Sequence, residues 1–315
     1  MENKGCSAEQ IKTTLAQIRE RVAPSAKNGR VASYIPELAK SDPRDLAVSV
    51  TLLDGTTYSV GESNKRFTLQ SISKLFSLLI ALIDQGPAAV FSVVGKEPTG
   101  DPFNSIVKLE MISSHKPLNP MINAGAIAVS SLISGEDVAA RLDKILTLLK
   151  RMAGNETIAV NRRVYQSERE TAHRNRALAY FMKDSGILKG DAEEILDLYF
   201  LHCSIEVTTE DLSAIAAVLA NNGVHPITGQ QLVPAEYARI CKSFMVTCGM
   251  YNDSGAFAIN AGIPAKSGVA GGILAAVPNK LGIGVYSPAL NEKGNSLAGA
   301  LFLEELSKAW NLSIF

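Results

Sequence analysis

The 315-residue chain has only four cysteines, Cys6, Cys203, Cys241 and Cys248. They are dispersed and form no C-x-x-C pair, which excludes a disulfide framework and a thiolate zinc site and leaves reduced thiols as the expectation. Its four histidines, His115, His173, His202 and His225, lack the short paired spacing of a metal helix, and His202-Cys203 is one neighbouring pair without two further ligands. No metal site is indicated, and core or surface positions are expected for the histidines. Charge of one sign is also missing: 31 Lys plus Arg balance 31 Asp plus Glu, so no general electrostatic attraction to nucleic acid or an anionic membrane is expected. Long hydrophobic runs are absent too. The longest, Leu75 to Ile83, contains a serine and falls far short of the ~20 residues that cross a bilayer. The first eight residues, MENKGCSA, carry no hydrophobic segment after their charged start, so neither signal peptide nor anchor is expected and the location is read as cytoplasmic.

What is present is an ordinary globular composition, 46% hydrophobic and 20% charged, with length for one or two domains. Ser7 and Gln10 form a capping-box signature, and Ile11, Leu15, Ile18 and Val22 then share one face of a helix that ends before Pro24. Leu46 to Leu53, the turn signal Asp54-Gly55, and Thr56 to Val60 read as a β-hairpin with a type I′ turn. Thr68 can cap a helix running to Gly86-Pro87, apolar on nearly every side and therefore buried. The middle of the chain is mostly helical, with Ala126 to Leu132, Glu136 to Arg151, Ser167 to Lys183, Asp191 to Cys203 and Thr209 to Asn221 as the clearest segments. Phe257 to Asn260, Ala265 to Val269, Ile273 to Val277 and Leu281 to Tyr286 read as short strands, and Ser296 to Ala309 as a final helix.

Pairing the early hairpin with the late strands gives one antiparallel sheet, flanked by helices from both chain ends, beside a helical lobe. This reading divides the chain into a discontinuous sheet domain, residues 1–70 and 248–315, and a helical domain, residues 71–247, with the 71–86 helix at their interface. A catalytic cleft is expected at the junction.

Ser71 and Lys74 form S-x-x-K, a spacing that puts a serine nucleophile and its base on one helical face. The same tetrapeptide recurs at Ser105 to Lys108 and Ser113 to Lys116, so spacing alone does not choose among them. Context favours Ser71, which follows the hairpin and opens the long apolar helix, where free N–H groups and the helix dipole stabilise developing negative charge. Lys74 at an ordinary pKa of about 10.4 is a poor base; burial or a second cation must lower it. Lys266-Ser267-Gly268 supplies that cation, and the small residues Ala270, Gly271 and Gly272 after it permit close approach to a ligand. An S-x-x-K followed by K-[ST]-G is the acyl-transfer pattern of penicillin-binding proteins and class A β-lactamases. Their third element, Ser-x-Asn, has no counterpart here, which points away from a penicillin-directed enzyme.

An ordered series of segments spans nearly the whole chain: Tyr34-Ile-Pro-Glu-Leu-Ala39, Gln70-Ser-Ile-Ser-Lys74, Asn119-Pro-Met-Ile-Asn-Ala-Gly-Ala126, Tyr165-Gln-Ser-Glu168, Arg174-Asn-Arg-Ala-Leu-Ala-Tyr180, Tyr199, Gly249-Met-Tyr251 and Lys266-Ser-Gly-Val-Ala-Gly-Gly272. On these the sequence resembles the serine-dependent glutaminase family. The resemblance implies a β-lactamase/penicillin-binding-protein-like α/β fold, hydrolysis of L-glutamine to L-glutamate and ammonia without a cofactor, and a homo-oligomer, dimer or tetramer. It implies Ser71 as nucleophile, Lys74 as its base, the N–H groups of Ser71 and Val269 as the oxyanion hole, and Tyr251 as proton relay, with Tyr34 and Lys266 tuning charge. Glu168 is implied as the anion for the substrate α-ammonium, with Asn123, Asn175, Tyr199 and Val269 as further contacts. Glu168 and Asn175, seven residues apart, share a face if residues 167–183 form one continuous helix.

Two rivals stand beside this reading. A serine esterase or β-lactam-recognising hydrolase would use Ser71, Lys74 and Lys266 on another acyl group. An inactive amino-acid-binding protein would keep the cleft and lose turnover. Taken singly, Asn123 would be a turn former, Asn175 a solvated helix residue, Glu168 an exposed charge, Lys266 a surface strand residue, and the three tyrosines packing residues.

Overall fold

The computed structural model describes residues 7–111 and 115–315; Cys6 and Ser113 lie outside them. Among the described residues eight strands form two sheets. In the larger, β1 (Ala47–Leu52), β2 (Thr57–Val60), β6 (Ala265–Ser267), β7 (Gly272–Val277) and β8 (Leu281–Tyr286) are ordered β2-β1-β8-β7-β6, with every neighbour antiparallel. The early hairpin does pair with the late strands, through β1 and β8, whose register sets Val48 beside Val285. The smaller sheet, β3 (Phe67–Thr68), β5 (Ile205–Val207) and β4 (Ala159–Val160) in that order, was not foreseen. Its strands have two or three residues each, too few for a period-2 pattern to register.

The large sheet is buried on both faces. Ile273, Ala275, Val277, Ile283 and Val285 meet the terminal helices Ala8–Val22 and Leu297–Trp310 in one core cluster. The Ala8–Val22 helix has the expected capping box at Ser7 and buries Ile11, Leu15, Ile18 and Val22. The other face is covered by the Thr209–Ala220 helix from the middle of the chain. A polar seam holds it there: Ser49 Oγ lies 2.8 Å from Thr209 Oγ1, and Thr51 Oγ1 2.8 Å from Ser213 Oγ. These hydroxyls satisfy one another where water is excluded, so the seam fixes helix to sheet without orphaned donors.

The helix after the small sheet runs Lys74–Val93, and residues 74–82 are buried without a gap. By length and composition residues 70–93 would suffice to cross a bilayer, with mean hydropathy 1.6. Gly86 breaks the helix, however, with φ 75° and ψ 166°. The straight piece before the break is about 18 Å long at 1.5 Å per residue, well under the ~30 Å hydrocarbon core. It is packed as a core helix, as its sequence indicates.

Four local expectations are corrected. Phe257 to Asn260 belongs to a helix, Ser254–Asn260, not a strand. The hairpin turn is not type I′, because Gly55 has φ 87° while Asp54 does not have positive φ; the Asp54 carboxylate instead accepts from Thr56 N at 2.8 Å. Thr68 is a strand residue, and Ser71 sits in a 3-10 turn, Gln70–Ser73, ahead of the α-helix proper. Residues 167–183 are two helices, Arg162–Thr171 and His173–Asp184, broken at Ala172.

Candidate active site

Two turns converge on the end of β6. The turn Gln70–Ser73 carries Ser71, and Gln70 before it is held at φ 47°, a left-handed value that a non-glycine residue adopts only under tertiary constraint. Tyr251, in the turn Tyr251–Asp253, is likewise at φ 51°. Gln70 lines one cavity and Tyr251 the one adjoining it, and two strained backbones so placed are consistent with a site fixed in advance of its ligand. Gly268 lets the strand end reach the Gln70 turn: a Cβ there would lie 2.4 Å from the Leu69 carbonyl oxygen. Gly268→Ala is therefore expected to push the two segments apart, lowering kcat at least about tenfold with a far smaller change in far-UV circular dichroism, since small displacements near the chemistry suffice for that.

The Ser71 side chain is buried close to the Tyr251 phenol, whose hydroxyl donates to the Ser267 carbonyl at 3.3 Å. Lys74 is fully buried. Its Nζ donates to Asn123 Oδ1 at 2.7 Å and to the Met121 carbonyl at 3.1 Å. Burial lowers its pKa to about 8, against a smaller opposing pull from Cys203 and Glu168. A neutral amine has two N–H bonds and one lone pair; with both N–H bonds taken by those acceptors, the lone pair is left for a proton from elsewhere. Lys266, also fully buried, donates to Ser267 O at 2.6 Å and Gly249 O at 3.2 Å and lies 4.6 Å from the centre of the Tyr251 ring. Burial, and then the neighbouring Lys74, push its pKa well below the ordinary lysine value. Burial raises the Tyr251 phenol, so it stays protonated near neutral pH.

An inner cavity of about 100 Å³ is lined by Ser71, Asn123, Glu168, Asn175, Tyr199 and Val269, with Tyr34 at its rim. Tyr34 is 56% exposed, and it also lines an outer cavity of about 680 Å³ together with Tyr251 and Val269. The two lysines lie behind this wall and not in it. Glu168 is buried, and its Oε2 has no hydrogen-bond partner. Burial raises its carboxyl to about 8, moderated by the Gln70 side chain and Lys74. A buried acid with one orphaned oxygen on a cavity wall is poised for a cation. Opposite in character, Asn123 Nδ2 donates to Asn175 Oδ1 at 2.9 Å. The Lys74–Asn123–Asn175 chain thus uses up the Asn175 oxygen and leaves its amide N–H groups free to donate to an anion.

Glu168 and Asn175 meet at the cavity without the continuous helix expected for them. They come from the end of one helix and the start of the next, and Arg176 Nη1 caps the freed Arg169 carbonyl at 2.8 Å. Sequence reading also missed Phe103, whose ring packs 4.9 Å from that of Tyr251, and Cys203, whose thiol burial holds protonated in the inner wall. Neither lies in a patterned motif that could have flagged it. Gln70 was quoted only as part of a segment, yet its side chain contacts Glu168. Among the described residues no three His, Cys, Asp or Glu side chains converge as a metal site requires.

The Glutaminase family model matches residues 29–315. A glutaminase of Clostridium botulinum (strain Loch Maree / Type A3) is 56% identical over 305 residues, 97% of this chain and 99% of that one. A glutaminase of Shouchella clausii is 55% identical over 290 residues, covering 92% and 94%. The Bacillus subtilis glutaminase solved in covalent complex with 5-oxo-L-norleucine, formed by reaction with 6-diazo-5-oxo-L-norleucine, superposes with a TM-score of 0.89 at 40% identity, covering 96% of this chain and 99% of that one. With a likeness that runs end to end in both sequence and fold, the chain belongs to the serine-dependent glutaminase family and shares its β-lactamase-like fold.

Proposed function

We propose that the inner cavity is where this glutaminase hydrolyses L-glutamine, with Ser71 as nucleophile. The observation that supports this best is the pairing, on one small cavity, of a buried acid with an orphaned oxygen and an amide whose free side can only donate. Together they match an α-ammonium and an α-carboxylate, and Ser71 in the same wall faces the far end of the amino acid.

In the proposed reaction Lys74, as the neutral amine, takes the Ser71 proton while Oγ attacks the carboxamide carbon. The oxyanion is held by the N–H groups of Ser71 and Val269; among the described residues no acceptor takes the Val269 N–H. Collapse breaks the C–N bond, and the proton gathered by Lys74 passes through Tyr251 to the leaving nitrogen, releasing ammonia. Water then attacks the glutamyl ester by the reverse path, freeing glutamate and restoring Ser71. Lys266, held against the Tyr251 ring, is itself driven toward its neutral form by burial and then by Lys74, which keeps a second positive charge out of the relay, and Tyr34 closes the rim. Parallel assays with glutamine, asparagine and a chromogenic β-lactam test the assignment: ammonia release from glutamine is expected, and β-lactam ring opening with little ammonia would favour the rival hydrolase.

The pH dependence has a definite sign. Both Lys74 and Glu168 have pKa values of about 8 in the free protein, and both must lose a proton to act, one as base and one as anion. Activity therefore rises with pH through that value. The log of kcat/KM against pH should climb with a slope between 1 and 2 below about 8 and flatten above it. Bound substrate ammonium keeps Glu168 ionised, so the kcat profile should show a single step of slope 1. A flat kcat/KM between pH 6 and 8 would contradict the assignment, and the measurement is steady-state ammonia release.

Three broader points belong to the same reading. We infer a homo-oligomer, dimer or tetramer, to be checked by light scattering on the purified protein. The free, unbridged thiols Cys203, Cys241 and Cys248 support a reducing, cytoplasmic location. The sheet lobe is taken as residues 1–70 and 248–315, and the helical lobe as residues 71–247 with the 71–86 helix between them, the Thr209–Ala220 helix reaching back from the second lobe to pack on the sheet.

A further inference from the structure

One buried titratable group has no part in this chemistry. His202, in the Ala192–Cys203 helix, is completely buried between two of the segments that build the site. Its Nδ1 lies 2.7 Å from Ser73 Oγ, in the turn that carries Ser71; its Nε2 lies 3.2 Å from Ser130 Oγ, at the end of the Asn123–Ser130 helix. Ser73 Oγ is also 2.7 Å from the Gln70 carbonyl, and Ser130 Oγ 2.9 Å from the Ala126 carbonyl. The ring edge faces Tyr199, with centroids 5.3 Å apart.

These four contacts need four hydrogens if all are to be hydrogen bonds; the longer contact of Ser73 Oγ with Cys203 Sγ, at 3.6 Å, needs one more, which the Cys203 thiol itself can supply. The two hydroxyls supply two and a neutral imidazole supplies one. The imidazolium would supply the fourth, but burial, followed by the charge of Lys74, lowers the His202 pKa to about 3, so the ring is neutral. One contact must then lack a proton. The two at Ser73 are short, at 2.7 Å each, and the Nε2 to Ser130 contact is the longest at 3.2 Å. Keeping the short ones puts the proton on Nδ1: Nδ1–H donates to Ser73 Oγ, and the Ser73 hydroxyl donates to the Gln70 carbonyl. That carbonyl belongs to the residue held at φ 47° immediately before Ser71.

We propose that His202 is a positioning residue, present as the Nδ1–H tautomer, which through Ser73 holds the strained Gln70 carbonyl and so fixes Ser71 and the Gln70 side chain against Glu168. The relay from His202 orients Ser73 as a donor to Gln70; without it that hydroxyl could rotate away, and the left-handed residue would lose its restraint. The proposal rests on Ser71 being the nucleophile.

The test separates the two ring nitrogens. Asn at 202 can place a donor near the position of Nδ1, whereas Gln reaches toward that of Nε2. His202→Asn should keep kcat per titrated active site within about threefold of wild type, and His202→Gln should lower it roughly 10- to 100-fold with KM changed far less, the loss expected of a misplaced reacting group. Equal values for the two variants, or better activity in the Gln variant, would overturn the proposal, because simple packing favours the larger side chain. If neither variant folds, the wild-type protein decides: histidine-labelled ¹⁵N NMR should show Nδ1 of His202 as the protonated, pyrrole-type nitrogen and Nε2 as the bare one, and the opposite pattern rejects the relay. The tautomer is read without turnover, so failure of the Ser71 reading, seen as undiminished activity in Ser71→Ala, stays distinguishable from failure of this one.

Discussion

Ser71→Ala is expected to abolish ammonia release from glutamine, lowering kcat by at least about 10⁴-fold, while glutamine still binds. The magnitude follows from removing the atom that forms the covalent bond: oxyanion donors and substrate contacts remain, but the acyl-enzyme path does not, and losses of this order accompany deletion of a serine nucleophile. The fold should be unaffected, because the substitution removes a single oxygen at a cavity wall and leaves the backbone turn intact. Steady-state assays and isothermal titration on the same preparation check both halves. Wild-type turnover in the variant would remove Ser71 from the mechanism. Failure of the well-folded variant to bind glutamine would show instead that Ser71 is needed for recognition.

Glu168→Gln is expected to affect recognition first. The substitution is nearly isosteric but removes the only acid that the described residues place on the inner cavity wall. An α-ammonium would then be buried without a counter-ion, at about 3–4 kcal/mol, so kcat/KM should fall about 10²- to 10³-fold. Stability should move the other way. A glutamate whose pKa rises from 4.5 to about 8 on folding stabilises the folded state at low pH and progressively loses that contribution as pH rises through this window. The Gln variant does not suffer the loss, so its Tm relative to wild type should increase between pH 5 and 8. Loss of activity with gain of stability is a signature that a merely structural glutamate would not give. If glutamine analogues lacking the amino group bind wild-type protein as well as glutamine does, Glu168 is not the ammonium partner.

Most of the architecture was legible because its elements carry period. The apolar stripe of residues 11–22 and the continuously apolar late strands beside the early hairpin must all be buried, and the structure buries them together. Where the pattern is short, it misled. Phe257 to Asn260 offers four residues, which fit strand or helix equally, and tertiary packing chose helix. The break at Ala172 was invisible for another reason. Thr171-Ala172-His173 contains no glycine or proline, and the break is sustained by the Arg176 guanidinium on the Arg169 carbonyl, an interaction between residues that are ordinary in sequence.

The site divides in the same way. Ser71 and Lys74 are the two ends of one four-residue segment, so their pairing is local and could be read from spacing. That Lys266 is completely buried beside them, and that Asn123 turns one end of its amide to Lys74 and the other to Asn175, depend on folding segments 50 to 190 residues apart onto one another, which no spacing rule conveys. The shifted acidities are of that second kind too, since burial causes them and burial is a property of the folded chain.

The most direct test of the central claim is covalent labelling. Reaction of the protein with 6-diazo-5-oxo-L-norleucine, the reagent that formed the covalent complex of the Bacillus subtilis relative, followed by proteolysis and mass spectrometry, should place one adduct per chain on Ser71, formed in step with loss of glutamine hydrolysis and prevented by excess glutamate. An adduct on any other residue, or full inactivation with Ser71 unmodified, would contradict the account.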